Sequence, residues 1–398
     1  MSAAYDHVST DVVMSEAPST GPLKILVLAD RDWSHPQGGG SGVNIHEQVT
    51  RWAQWGHQVT IVSGEYPGAE RYEELAENLV VHRMGGRATV FPRAVWAVMR
   101  GVGRDADVVL EVINGIAFLT PLWLRKPRIA LVHHPHRDLY IGEFGRWLGR
   151  ALAALLEEWP LRLLYRRTRF LTISKSARDE LVTIDGVPHD HVTVTYCGID
   201  PGVLRPRDRS PQPRLVYVGR LKKYKRIDHV LDVLEAVPEA SLDIVGEGDY
   251  RTSFGASIVA DIERRGLTDR VHMHGFVDEE RKAELYASAW VHLTASSSEG
   301  WSLTVIEAAL CGTPSAALAV GGLRESIVDG ETGVLARDVD QLTERVRELI
   351  DDHELRERLG RAAAERAATF DWDTTARTNL DLLRAAIPVA QARATVAA

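Results

Sequence analysis

The chain is poor in cysteine. Among 398 residues only Cys197 and Cys311 carry a thiol. They lie far apart and outside any metal-ligand spacing. This excludes a disulfide framework and points to a reducing compartment. Long apolar runs are also missing: no stretch approaches the roughly 18 uninterrupted apolar residues of a membrane-spanning helix. Nor is there a basic excess. The formal charge of -8 argues against a general nucleic-acid binder. Residues 1–22 lack the apolar segment of a signal peptide, and we expect a disordered leader there. These absences leave a cytoplasmic protein. Its length suits two or three domains, each able to bury its own core.

What is present alternates between strand and helix. Lys24–Asp30 is a short apolar run, read as a buried parallel strand. A loop with Gly38, Gly39, Gly40 and Gly42 follows, then a helical pattern ending at Gly56, then a strand at Val59–Val62. The glycines do not form the dinucleotide fingerprint, but they can admit a phosphate or sugar close to the backbone. Further strands are expected at 79–82, 108–111, 129–132, 170–174 and 192–196.

The strand at 129–132 runs into His133, His134, Pro135, His136 and Arg137. Open α/β sheets bind ligands at such strand ends, and a histidine there can hydrogen-bond a sugar hydroxyl or take a proton. A metal site is a rival reading, although the spacing fits no standard pattern. Residues 144–167 alternate Trp and Leu with five arginines. Helices covering the first sheet are the preferred reading, and a stretch lying on an acidic membrane surface is the rival.

Residues 201–213, rich in proline and charge, read as a linker. The alternation then restarts. The strand at 214–218 leads into Gly219, Arg220 and a cationic run that includes Lys225. A diphosphate would account for such a cluster at a strand end. Later strands deliver Gly246, then Gly275 with Phe276 and Val277, and lastly Gly321.

The most informative stretch is 298–308. Glu299 precedes a small-residue turn, and Glu307 sits seven residues beyond Gly300 in an apolar run that closes at Gly312-Thr313-Pro314. We read a loop entering a short helix, with Ser302 as N-cap and Gly312 just past the end. The free N–H groups of that helix start, together with its dipole, favour an anion such as phosphate. Flanking carboxylates can accept hydrogen bonds from sugar or ribose hydroxyls. The pattern therefore fits a nucleotide-sugar pocket.

Taken together, these motifs resemble the retaining glycosyltransferases of family 4, which have the GT-B fold. The resemblance covers roughly residues 23–372. It implies an α/β architecture of two Rossmann-like, doubly wound parallel-sheet domains facing a crevice. The acceptor domain would span 23–200 and the donor domain 214–370, with a helix after 371 returning toward the first domain before the tail. By this resemblance Arg220 and Lys225 grip the donor diphosphate, Glu299 meets the transferred sugar and Glu307 the ribose. Backbone near Gly300, Ser302, Leu303 and Thr304 meets sugar and phosphate. Gly246, Phe276 and Val277 border the base, and Gly39 and Gly40 lie near the phosphates. His136 is the best match to the family's active-site histidine, with His134 and His133 as competitors; Asn44, His133 and Arg137 are expected on the acceptor side. The donor would be a UDP- or GDP-linked hexose acting as substrate, with no cofactor and no metal. The triplet Asp105-Ala106-Asp107 matches a metal-binding motif by letter only. The acceptor is an unidentified hydroxyl, and peripheral contact with the inner membrane face is compatible with the 144–167 stretch. Alternatives are a hydrolysing sugar-nucleotide epimerase and a non-catalytic sugar-nucleotide sensor.

Overall fold

A computed structural model describes residues 21–36, 38–246 and 253–388. All but the end of the expected leader lies outside these residues, as do Glu247, Gly248 and the tail. The first sheet contains β1 (Lys24–Leu28), β2 (Gln58–Ser63), β3 (Tyr72–Ala76), β4 (Leu79–Arg83), β5 (Val108–Ile113), β6 (Arg128–Val132), β7 (Arg169–Thr172) and β8 (Val192–Val194). Its order is β3-β4-β2-β1-β5-β6-β7-β8. The second contains β9 (Arg214–Val218), β10 (Ser241–Val245), β11 (Val271–Gly275), β12 (Val291–Thr294), β13 (Ser315–Leu318) and β14 (Gly333–Ala336). Its order is β11-β10-β9-β12-β13-β14.

Both sheets are doubly wound. The strand order reverses between β1 and β5 in the first and between β9 and β12 in the second. Crevices at the carboxyl ends of such switch points are where this architecture binds ligands. The central strands are buried on both faces, which explains their unbroken Val/Ile/Leu runs. The edge strand β3 pairs antiparallel with β4. Its polar sequence, Tyr-Glu-Glu-Leu-Ala, gave no such signal.

The segment between β8 and β9 packs on the second domain. Arg209 donates to the Ala289 carbonyl (2.6 Å) and the Gly312 carbonyl (2.6 Å) and pairs with Glu357 at 2.9 Å. The helix Trp372–Ala385 lies against the first domain. Its Ala376, Leu380, Leu382 and Leu383 join the core built on β1, β2 and β5. The Trp52 indole donates to the Ala376 carbonyl at 2.9 Å, and Asn379 donates to Gln48 at 2.6 Å.

Two sequence expectations are corrected here. The glycine-rich segment after β1 is not all loop: the helix Gly39–Gln54 starts inside it. A Cβ at Gly42 would stand 2.9 Å from the Trp33 Cα, so a close backbone approach explains that glycine. The stretch 144–167 only partly covers the sheet. Leu161 and Tyr165 enter a core with Phe170 and Val132, whereas Trp147, Leu155, Trp159 and Leu163 are exposed.

Candidate active site

The loops after β9 and β12 meet at the second switch point. Within the β12 loop Glu299 accepts a hydrogen bond from the Ser296 hydroxyl at 2.9 Å and pairs with the Lys225 ammonium. Burial disfavours the Lys225 ammonium, but attraction to the Glu299 carboxylate outweighs it and raises the Lys225 pKa, so the ammonium stays charged. The loop backbone is fixed from beneath by Gly321 and Gly322. A Cβ on Gly322 would lie 2.0 Å from the Gly300 carbonyl oxygen, and the Gly322 N–H donates to the Glu299 carbonyl at 2.7 Å.

The helix Leu303–Leu310 starts at this loop. Ser302 occupies the N-cap position, but not in the expected way. It is left-handed (φ 78°), and its hydroxyl lies 3.1 Å from that of Thr304 rather than capping the helix. Left-handed geometry costs a non-glycine residue about 1–2 kcal/mol and is concentrated at functional sites. The first N–H groups of the helix have no intrahelical partner, as at any helix start. Trp301 anchors the turn, buried against Tyr196 (4.5 Å) and Phe370 (5.0 Å). Glu307, one turn beyond Leu303, is held by the Tyr286 hydroxyl at 2.9 Å and Lys282 at 3.1 Å. Phe276 is exposed past the end of β11, with Val277 half-buried behind it. A Cβ at Gly246 would lie 2.1 Å from the Gly219 carbonyl oxygen, so the β9 and β10 ends pack backbone to backbone.

The first domain faces these groups closely. A Cβ built on Gly39 would stand 2.8 Å from the Arg220 guanidinium carbon, and one on Gly40 would stand 3.8 Å from Leu303. A Cβ on Gly300 would meet the His133 carbonyl oxygen at 3.0 Å and the His134 Nδ1 at 3.5 Å. The structure therefore brings Gly39, Gly40, Arg220, Lys225, Glu299, Gly300, Leu303 and His134 to one crevice.

The His134 and His136 rings stack at 4.8 Å. Burial is the largest cause of their shifts. It pushes His134 and His133 down to about 3 and His136 to about 4. All three are neutral at pH 7, so positive charge in the crevice comes from Arg220 and Lys225. His133 is buried, with neither ring nitrogen hydrogen-bonded. Among the described residues no cluster of three His, Cys, Asp or Glu is placed to hold a metal ion. Asp105 and Asp107 bind the Lys24 ammonium (2.6 Å) and backbone N–H (2.8 Å) at the amino end of the sheet, opposite the crevice.

Asn44 is a correction. It was expected on the acceptor side but is turned inward, where its amide donates to Cys197 Sγ at 3.0 Å and its oxygen accepts from Gln48. Position 44 lies on the buried face of its helix with Ile45, Gln48 and Val49. Arg137 pairs with Glu158 at 3.5 Å.

Sequence reasoning missed Glu157. One of its carboxyl oxygens accepts the His136 backbone N–H at 2.8 Å, and the other lies 3.8 Å from His136 Nδ1. It sits in a π-helical turn, Ala154–Glu158, which inserts one residue and turns the carboxyl inward. An acid inside a Leu-rich, Arg-rich stretch carried no sequence signal of that role. Also missed was Glu325. It accepts the Lys175 and Ser176 backbone N–H groups at 2.8 and 2.7 Å and the Tyr196 hydroxyl at 2.9 Å, joining the two domains.

Solved structures share this architecture. Sucrose-phosphate synthase from Thermosynechococcus elongatus superposes with a TM-score of 0.77 at 20% identity, over 91% of this chain and 98% of that one. The Anabaena protein HepE, solved with UDP-glucose, gives 0.71 at 18% identity, over 91% of this chain and 100% of that one. Fold and crevice place the chain among the GT-B glycosyltransferases. Residues 38–203 match the profile "Glycosyltransferase Family 4", and residues 205–366 match "Glycosyl transferases group 1". The chain belongs to the family 4 type of glycosyltransferase. Among curated relatives, glycogen synthase of Mycobacterium tuberculosis is 26% identical over 405 residues, spanning 92% of this chain and 95% of that protein. The MMP alpha-(1->4)-mannosyltransferase of Mycolicibacterium hassiacum is 26% identical over 412 residues, spanning 92% and 98%.

Proposed function

We propose that the chain transfers a hexosyl group from a UDP- or GDP-linked sugar to an acceptor hydroxyl, retaining the anomeric configuration. One observation carries this reading. The Arg220 guanidinium and the Lys225–Glu299 ion pair lie beside the start of the helix Leu303–Leu310, facing the histidine loop of the other domain. Breaking the sugar–phosphate bond puts negative charge on the departing diphosphate. Two cations and a helix start, oriented before the reaction, stabilise that charge without reorganising.

Glu299 meets the sugar, and Glu307 the ribose. Phe276 offers an exposed ring for the base. His134, with His136 stacked behind it, presents a neutral imidazole to the acceptor or the sugar hydroxyls. The carboxylate nearest the reacting centre, Glu299, is charge-paired with Lys225, which favours a front-face route over attack by an enzymic nucleophile. In that route the acceptor O–H attacks from the side the diphosphate leaves. Its proton passes to the departing phosphate oxygen as the new glycosidic bond forms.

Calorimetric titration with UDP, GDP and their hexose conjugates tests the donor. Saturable micromolar binding of one conjugate is expected, weakened in Glu307→Gln with the fold retained. Absence of binding by all of them would count against the reading. The anomeric coupling of the product, read by NMR, tests retention.

A further inference from the structure

The segment Arg146–Leu164 inverts the usual pattern of a surface helix. Its inward face is Gly149, Ala153, Glu157 and Leu161, spaced by four. Gly149 lies under the preceding helix, Arg137–Phe144: a Cβ there would stand 2.4 Å from the Tyr140 carbonyl oxygen. Two small residues, one acid and Leu161 thus face the protein, while Trp147, Leu148, Leu155, Trp159 and Leu163 face out. Trp147 is 82% exposed and Leu163 64%, with Leu148, Leu155 and Trp159 also exposed. Leu148, Leu155, Trp159 and Leu163 follow at spacings of seven, four and four, which keeps them along one face. The helical run of Arg146–Leu164 is about 28 Å long at 1.5 Å per residue.

The exposed charges of the segment itself have one sign. Arg146, Arg150, Arg162 and Arg166 are exposed, in a chain whose formal charge is -8. Both acids of the segment are turned in, Glu157 buried and Glu158 paired with Arg137. Trp and Leu on one face with arginines beside them suit an anionic lipid surface. The rings and stems enter the headgroup boundary, and the guanidinium groups meet lipid phosphates. No helix among the described residues is long and apolar enough to cross a membrane, so the contact would be one of lying on the surface.

We propose that the outward face of residues 146–164 docks the first domain onto an anionic lipid bilayer. The docking does not depend on the transferase reading, because it is measured as binding. The full chain is sedimented with vesicles of phosphatidylcholine and phosphatidylglycerol at a 7:3 ratio, and with phosphatidylcholine alone. Binding to the anionic vesicles and much weaker binding to the neutral ones is expected. Arg146→Glu/Arg150→Glu is expected to weaken binding by about fivefold or more for each charge changed, as a surface arginine is worth about that factor. Trp147→Ser/Trp159→Ser is expected to abolish retention at high salt. Both variants alter exposed side chains, and unchanged thermal unfolding certifies the fold. No sedimentation with anionic vesicles overturns the proposal, as does equal binding by wild type and variants. A dimer seen by light scattering without lipid and broken by Trp147→Ser/Trp159→Ser also overturns it, assigning the face to a second copy of the chain.

Discussion

Gly39 and Arg220 touch across the domain crevice, with a built Cβ on Gly39 only 2.8 Å from the guanidinium carbon. Gly39 is also left-handed (φ 61°). A methyl group there must push the guanidinium away or open the crevice. Gly39→Ala is expected to raise the donor dissociation constant by roughly ten- to a hundredfold, the worth of a hydrogen bond to a charged group. Calorimetry of variant and wild type measures this. An unchanged constant would remove Arg220 from the donor site.

Lys225 and Glu299 are each mostly buried, with side chains 17% and 11% exposed. Removing one partner strands the other charge. Lys225→Ala alone is expected to destabilise by about 3 kcal/mol, in the range for a broken buried pair, and Lys225→Ala/Glu299→Gln by less. Urea unfolding of the single and double variants gives the coupling. Additive losses would mean that the two charges act separately.

The Glu157 carboxyl is pushed up to about 8 from an ordinary 4.5, mainly by burial. The folded chain keeps a proton there that the unfolded chain releases. The stability this supplies is complete below about pH 4.5 and is lost as pH rises through 8. His133 and His134, held down to about 3, act oppositely: their contribution is lost as pH falls below 6.5. Glu157→Gln cannot ionise. It is expected to flatten the alkaline limb of a melting-temperature profile, by about 2–4 °C per kcal/mol relieved, and to leave the acidic limb alone. A profile parallel to wild type above pH 7 would contradict the assignment.

Glu325 caps a helix of the other domain through Lys175 and Ser176 while also accepting from Tyr196. Glu325→Ala removes these acceptors at once. A loss of about 2 kcal/mol is expected, together with a larger radius of gyration in small-angle scattering as the crevice opens. The same radius in variant and wild type would show that the domains are held closed by other contacts.

The alternation of apolar runs and amphipathic segments made both doubly wound sheets legible, because parallel strands buried on both faces cannot hide their composition. Lys225 and Glu299 stood out as charged residues past strand ends, and the structure pairs them with each other. Asn44 was misplaced because a helix turns about 100° per residue, and the sequence does not say which way Gly39 starts it. Glu157 was invisible because a π-turn shifts the register by one residue, which no periodicity reveals. Glu325 was invisible because its partners, two backbone N–H groups and the Tyr196 hydroxyl, all lie more than a hundred residues away in sequence.

The return of the helix Trp372–Ala385 to the first domain bears on how the chain is made. Ala376, Leu380, Leu382 and Leu383 complete a core otherwise built from residues 23–171. During synthesis the first domain emerges early but lacks that wall until residues 372–385 have left the ribosome. The second domain, whose strands span 214–336, is continuous and can close before it. Domains usually fold in the order they are translated. Here the first domain is completed only after the second has emerged, so a truncation near residue 370 is expected to leave the first, rather than the second, exposed to proteases.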